Sequence, residues 1–410
     1  MKRRIFYGWI VAAAGAGVMG VAIGIINNCF GLLVVPICEE LGFGRQDVAV
    51  NQTLLNLAAM IVAMLSSVLF TGTRLKHWMR AGAVFMCAFY GCFAFAQALP
   101  VFYAIALITG LAQGMVNVVP FSIIISQWFH EKRGMALGIV YMGSGVGGML
   151  FNALGGQLVN AFGWRTTVLI FDAILFIVCV PLVFFVIRTD PAECGLRPFG
   201  EAMQEHAVAA PLREERRKLS LTIPFFVIAV DIIFAALAVN GIASTSTPYY
   251  EDIFHSGVVS ANLTSAFMAS LALGKFLLGS LYDRLGVTRA TALTRGLLIA
   301  TLFALYMGKR PIFVGLFVVC SGIAAATNSI SIPFLARVVD PDDIVTLTGL
   351  YSGLQSFGSL LAPVFCGWIC DTTGSYAQAY LLCGVAVIAL LPVLLLTLRR
   401  RVLTLQQCHH

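Results

Sequence analysis

Few residues in this 410-residue chain could do chemistry, because 11% of it is charged and 59% is hydrophobic. Three charges stand inside long apolar runs: Lys275, Asp231 and Asp172. A charge at the centre of a membrane helix costs about 2.5–3.5 kcal/mol on insertion scales, so such residues mark functional positions when they face the protein interior. Lys275 lies seven residues before Tyr282, roughly 10 Å from the helix end at 1.5 Å per residue and too deep to snorkel easily. It offers a carboxylate a hydrated point charge, not the two-pronged fork of an arginine. Asp231 lies ten residues past Leu221, about 15 Å from the same surface, on the preceding helix. The similar depths predict an Asp231–Lys275 couple in which substrate anion and proton loading exchange partners. A buried structural ion pair is the plain alternative. Asp172 is expected to serve packing or an interface.

Other chemistry is excluded by spacing. Gly143-Ser144-Gly145-Val146-Gly147-Gly148 matches the dinucleotide fingerprint, which needs a preceding strand and a polar phosphate pocket. Here it is embedded in an apolar segment, where close helix packing through small residues accounts for it. There is no H-E-x-x-H, no phosphate-binding loop and no nucleophile elbow. The 11 cysteines are scattered, most of them in apolar runs where they act as small hydrophobes. Cys366 and Cys370 are one turn apart, but nothing completes a metal set. No catalytic residue, cofactor or metal is expected. The net charge of +7 forms no basic stripe interleaved with exposed aromatics, so nucleic acid is not a partner.

These positions must be held by membrane helices. A soluble chain carries roughly 25% charged residues, and a helix needs about 20 apolar residues to cross a bilayer. The first apolar stretch, 5–36, is far longer than the roughly 7–15 residues of a cleaved signal and is a retained helix. Breaking the hydropathy at charged, proline and glycine clusters gives twelve segments: 6–36, 48–72, 81–99, 102–127, 134–158, 166–187, 221–247, 260–282, 290–307, 312–337, 344–370 and 377–397. The chain therefore divides into an N-terminal six-helix bundle (1–187), a solvated linker (188–220), a second six-helix bundle (221–397) and a tail (398–410). Of the 26 basic residues, 21 fall on the side of the N-terminus, Arg295 counted among them, and only Lys275 falls inside a helix. That asymmetry places both termini and the linker in the cytoplasm.

The halves repeat. At an offset of 211, Asn117 meets Asn328, Gly147 meets Gly358 and Gly163 meets Gly374; at 212, Asn28 meets Asn240 and Pro36 meets Pro248. An even number of helices per half gives parallel repeats about an axis along the membrane normal, the architecture of alternating-access transporters.

Several motifs then carry a resemblance. Gly279-Ser280-Leu281-Tyr282-Asp283-Arg284-Leu285-Gly286, followed by Arg289, resembles the G-x-L-x-D-R-x-G-x-x-R loop of the major facilitator superfamily. Phe6-Tyr7-Gly8-Trp9, the run from Trp128 through Arg133 to Gly138, Phe162-Gly163-Trp164-Arg165, and Asp371-Thr372-Thr373-Gly374 resemble its bacterial branch of oxalate/formate antiporters and monocarboxylate transporters. The resemblance implies an all-α membrane protein with twelve transmembrane helices as two parallel six-helix repeats. It implies that Lys275 stands where relatives use an arginine for the substrate carboxylate. No Lys or Arg occurs between Arg337 and Arg399, which disfavours an oxalate-like dianion. Asn28, Asn117, Tyr141, Asn240, Asn328, Tyr351 and Gln355, with Gln113, belong to helices that line the cavity in this family. A membrane hydrogen bond averages only about 0.6 kcal/mol, so gluing helices together stands level with binding a ligand. Asp283, Arg284, Arg289 and Arg133 form the gating loop, in which the aspartate can hold basic residues and a neighbouring helix terminus. The first-half counterpart, Thr71-Gly72-Thr73-Arg74, lacks the aspartate, so the latch should be asymmetric.

The expected function is secondary transport of a small organic anion, a monocarboxylate, by alternating access and coupled to a proton or a counter-substrate, with Asp231 carrying the proton. The alternatives are an exporter of a larger amphipathic metabolite or drug, an anion exchanger, and a transporter-like sensor. An enzyme is not expected. The chain is read as a monomer in the bacterial cytoplasmic membrane.

Overall fold

The computed structural model describes residues 6–70, 74–200, 222–254, 257–308, 310–340 and 344–408. The basic start, Thr71–Thr73, the linker from 201 onward with its Arg213–Lys218 run, and His409–His410 lie outside the described residues. Thirteen α-helices follow in order. The first seven are α1 (Tyr7–Ile23), α2 (Phe30–Leu41), α3 (Arg45–Met64), α4 (Ser66–Leu69), α5 (Arg74–Tyr90), α6 (Leu99–Gly114) and α7 (Val118–Trp128). Then come α8 (Arg133–Pro181), α9 (Ile223–Phe254), α10 (Gly257–Met307), α11 (Pro311–Val339), α12 (Ile344–Thr373) and α13 (Tyr376–Cys408).

Among the described residues eight helices, some joined end to end, are long and apolar enough to cross a membrane. Twelve spans emerge when length is considered. The 49 residues of α8 would reach about 74 Å as a straight rod, against roughly 30 Å of hydrocarbon. The helix turns back at Gly163 (φ 76°, ψ 169°), and the 51-residue α10 does so at Gly286 (φ 75°, ψ 166°). Only glycine adopts such dihedrals without strain. Adding α11, bent by 46° between Asn328 and Ile330, and the shorter apolar stretch Val50–Met64 completes the set. The spans are α1–α2, α3–α4, α5, α6–α7, the two arms of α8, α9, the two arms of α10, α11, α12 and α13. Both termini therefore emerge on one face.

The repeat is visible as chemistry. Span 5 packs on span 1 backbone to backbone: a Cβ on Gly143 would collide with Ala16 O, and one on Gly147 with Gly20 O. The repeat mate of Gly147 is Gly358, where a Cβ would meet Ile233 O at 2.5 Å, so span 11 seats on span 7 in the same way. The Gly-rich motif is a packing device. Gly147→Ala is expected to overpack this seam by about 1–3 kcal/mol and lower the thermal midpoint of the purified protein. Gly156→Ala, where the new Cβ meets nothing within 4 Å, should leave it unchanged or raise it.

The family-like motifs earn their places in the N-terminal half. Trp164 Nε1 and Arg165 Nε donate to the two oxygens of Glu40 at 2.6 and 2.8 Å, and Arg165 Nη1 donates to Ala94 O at 2.5 Å. This ties the ends of spans 1, 3 and 6 together opposite the termini. On the terminus-bearing face Phe6, Trp9, Trp128 and Phe129 form an aromatic cluster with Phe199. Phe199 N donates to Trp128 O, and Trp128 Nε1 donates to Arg188 O. The first dozen residues of the expected solvated linker are thus docked on the bundle. At the other end α13 runs on to Cys408, through the expected tail.

Candidate functional site

Lys275 reaches across the boundary between the halves. Its Nζ donates to Ser144 Oγ at 2.6 Å, and Asn28 Nδ2 donates to Ser144 O at 3.1 Å. Spans 8, 5 and 1 thus converge on one half-buried cation. Glycine permits the approach: a Cβ on Gly138 would sit 2.8 Å from Lys275 O, and one on Gly145 would sit 2.9 Å from Ala272 Cα. Asn28 belongs to a π-helical turn, Gly24–Asn28, whose extra residue per turn directs Asn27 and Asn28 to different neighbours. Asn27 Nδ2 donates to Asn56 Oδ1 at 3.1 Å, and Gln113 Nε2 donates to Asn27 Oδ1 at 2.6 Å. Among the described residues no carboxylate lies within ion-pair distance of Lys275. An ammonium has three donors and Ser144 engages one, which leaves two for an incoming carboxylate.

The expected Asp231–Lys275 couple is not formed. Asp231 Oδ2 and Oδ1 instead accept from Arg295 Nη2 at 2.6 Å and Nε at 3.1 Å, and both side chains are almost fully buried. Arg295 Nη1 also reaches Thr327 Oγ1 at 3.4 Å. The fork of the guanidinium matches a carboxylate at both oxygens, which a lysine on the next span could not match. Arg295 is no helix-end residue: the chain turns at Gly286, so Arg295 is nine residues beyond the turn, about 13 Å in. Had the kink been placed at Gly286, depth alone would have flagged it. Ser144 had a fainter signal, as the one hydroxyl in the Gly-rich run.

The other candidates divide. Asn240 repeats Asn28 in role, donating from span 7 to Ser359 Oγ on span 11 at 2.8 Å. Asn117 caps α7 by accepting from Val118 N at 2.8 Å, and buried Tyr141 donates to Val118 O at 3.1 Å. Its repeat mate Asn328 stands at the bend of α11, buried, with Nδ2 lacking a partner among the described residues. Paired asparagines therefore mark paired helix breaks in spans 4 and 10. Tyr351 is fully buried and stacked on Phe225 at 5.5 Å, whereas Gln355, one turn along, is half-buried. Asp172 sits between spans 3 and 6 on the wall of a cavity of about 400 Å³, away from Lys275.

The loop expected to act as a gate meets the first half of the chain. Asp283 Oδ1 and Oδ2 accept from Gly134 N and Met135 N, each at 2.9 Å, at the start of α8. A Cβ on Gly279 would collide with Gly134 O. Spans 2 and 11 close the other flank, where Ser66 Oγ donates to Val345 O at 3.4 Å and Met64 lies against Gly353. From the level of Lys275 to the terminus-bearing face the two halves are shut against each other. Arg284 and Arg289 are exposed, and Arg133 is buried beside the latch.

A family model described as Major Facilitator Superfamily matches residues 10–307 and, overlapping, 228–406. Among curated proteins, the chain is similar to monocarboxylate transporter 12 of Mus musculus, 22% identical over 93% of this chain and 83% of that one. It is also similar to monocarboxylate transporter 11 of Homo sapiens, 25% identical over 92% and 80%. Two solved structures share the fold. The human organic anion transporter MFSD10 (TETRAN) matches with a TM-score of 0.70 at 16% identity, over 96% of this chain and 100% of that one. FucP in its outward conformation matches at 0.68 and 13%, over 96% and 98%.

Proposed function

The chain belongs to the major facilitator superfamily, a multi-pass membrane transporter fold, and on that premise we propose that it carries a small monocarboxylate by alternating access. The carrying observation is the central cation: Lys275 is held at the seam by Ser144, with no carboxylate of the described residues to neutralise it. One charge suits one carboxylate. The amide chain of Asn27, Asn56 and Gln113 supplies polar groups on the N-terminal half, and Asn240, Asn328 and Gln355 supply them on the other. Monocarboxylate transport, the function in the names of relatives, agrees with this chemistry. The gradient is that of a proton or a counter-substrate. Both carboxylate oxygens of Asp231 are held by Arg295 in this state, so a coupling role for Asp231 requires the pair to separate during the cycle. The whole site lies within one chain, so a monomer suffices. The excess of basic residues on the terminus-bearing face supports reading that face as cytoplasmic, and the membrane in this reading is the bacterial cytoplasmic one.

The test is uptake into liposomes containing the purified chain, with a carboxylate panel under imposed pH and counter-substrate gradients. Monocarboxylates are expected to move and to compete with one another, and oxalate-like dianions to compete poorly. If no anion moves under any gradient, the reading is wrong.

A further inference from the structure

The latch at the start of α8 is built like a carboxylate site. Two consecutive backbone amides, Gly134 N and Met135 N, each hold one oxygen of Asp283 at 2.9 Å. A helix N-terminus binds anions through such free amides and its dipole, and nothing in that geometry requires the carboxylate to be tethered. Arg133, the first residue of the helix, is 7% exposed, and its Nε and Nη2 have no hydrogen-bond partner among the described residues. It lies near the charges of Arg337 and Asp283, yet forms no ion pair with Asp283. Hydrogen-bond donors left unsatisfied in a buried guanidinium are costly. Once Asp283 has withdrawn, an anion lying between the amides and Arg133 would satisfy both.

We infer that the α8 N-terminus with Arg133 is a second carboxylate station, filled by Asp283 when the terminus-bearing side is shut and by a small carboxylate when the halves part. Ser144 is eleven residues further along the helix, about 16 Å away, so the station is separate from Lys275 and lies between it and the terminus-bearing face. Rocking of the halves withdraws Asp283 on span 8 from span 5 and leaves two amides and a cation facing the opening. A carboxylate leaving Lys275 meets them next, and one arriving from that face competes with Asp283 and holds the latch open. The inference rests on the cargo being a carboxylate, but its test does not depend on transport.

The test uses purified full-length chain in neutral detergent, in a Lys275→Gln background so that the central site contributes nothing. Asp283→Ala is expected to lower the thermal unfolding midpoint. Tens of millimolar formate should restore at least half of the loss, while sodium chloride of equal ionic strength does not. Adding Arg133→Gln should abolish the restoration. No rescue of Asp283→Ala by formate, or rescue that survives Arg133→Gln, overturns the inference. If Asp283→Ala does not survive purification, Asp283→Asn keeps the volume and one acceptor oxygen, and the same criteria apply to it. A chain that moves no carboxylate can still pass this test, and one that moves carboxylates can fail it, so the two readings fail separately.

Discussion

Lys275→Gln is expected to abolish anion uptake while leaving the amount of folded protein in the membrane unchanged. The two halves of that expectation have different physical origins. Truncating one partner of a buried, hydrogen-bonded charge pair costs about 2–5 kcal/mol, which is roughly thirty-fold or more in affinity. On the proposed function, the missing partner is the carboxylate of the cargo. Abundance is spared because Lys275 has no carboxylate partner among the described residues, so its loss strands no opposite charge. Glutamine keeps a neutral donor, one bond shorter, in place of the ammonium that contacts Ser144 Oγ. Lys275→Arg should retain part of the activity with a changed substrate ranking, since a planar fork replaces a point charge. Ser144→Ala removes a single hydrogen bond and should cost only about 0.5–1.5 kcal/mol. Unchanged uptake by Lys275→Gln in reconstituted liposomes would remove Lys275 from the site.

Breaking the Asp231–Arg295 pair should do the reverse, harming the protein before its activity. Either Asp231→Leu or Arg295→Met leaves a buried charge uncompensated, at a cost of about 3–5 kcal/mol, and folded protein should fall sharply by fluorescence-detected size exclusion. The double replacement removes both charges and should recover most of the loss, because apolar side chains of similar volume often replace a buried pair at no cost. That recovered protein also decides the coupling role. If it still accumulates substrate under an imposed pH gradient, Asp231 is not the proton carrier and the pair is a brace. If it only exchanges substrate, the Asp231–Arg295 pair belongs to the coupling machinery.

The class of protein was legible in the sequence because hydropathy, charge asymmetry and repeat spacing are local or additive properties. Twelve apolar segments, Gly163 with Gly374 at an offset of 211, and an intramembrane lysine can each be read without knowing what touches what. Paired asparagines at 117 and 328 were equally visible, though their placing at helix breaks in spans 4 and 10 was not. The dinucleotide-like run reads as packing from the sequence alone, since an apolar segment with no strand before it cannot make a phosphate cradle, and Gly143 and Gly147 pack on the backbone of span 1.

Partnership was not legible. Asp231 and Lys275 share a depth and sit on consecutive helices, yet depth is one coordinate of three, and the rotation of each helix about its axis decides which side chains meet. Moving one helix start by a few residues, from 290 to the turn at Gly286, converted Arg295 from an end residue into the buried partner of Asp231. Ser144 was masked by the glycines around it, whose lack of side chains is what lets Lys275 cross the seam to reach it. The sequence by itself determined a twelve-span transporter with a lysine inside one of its membrane helices. Only the tertiary structure decided which charges neutralise each other, because helix rotation and close approach at glycine are set by packing between distant segments, which no local pattern records.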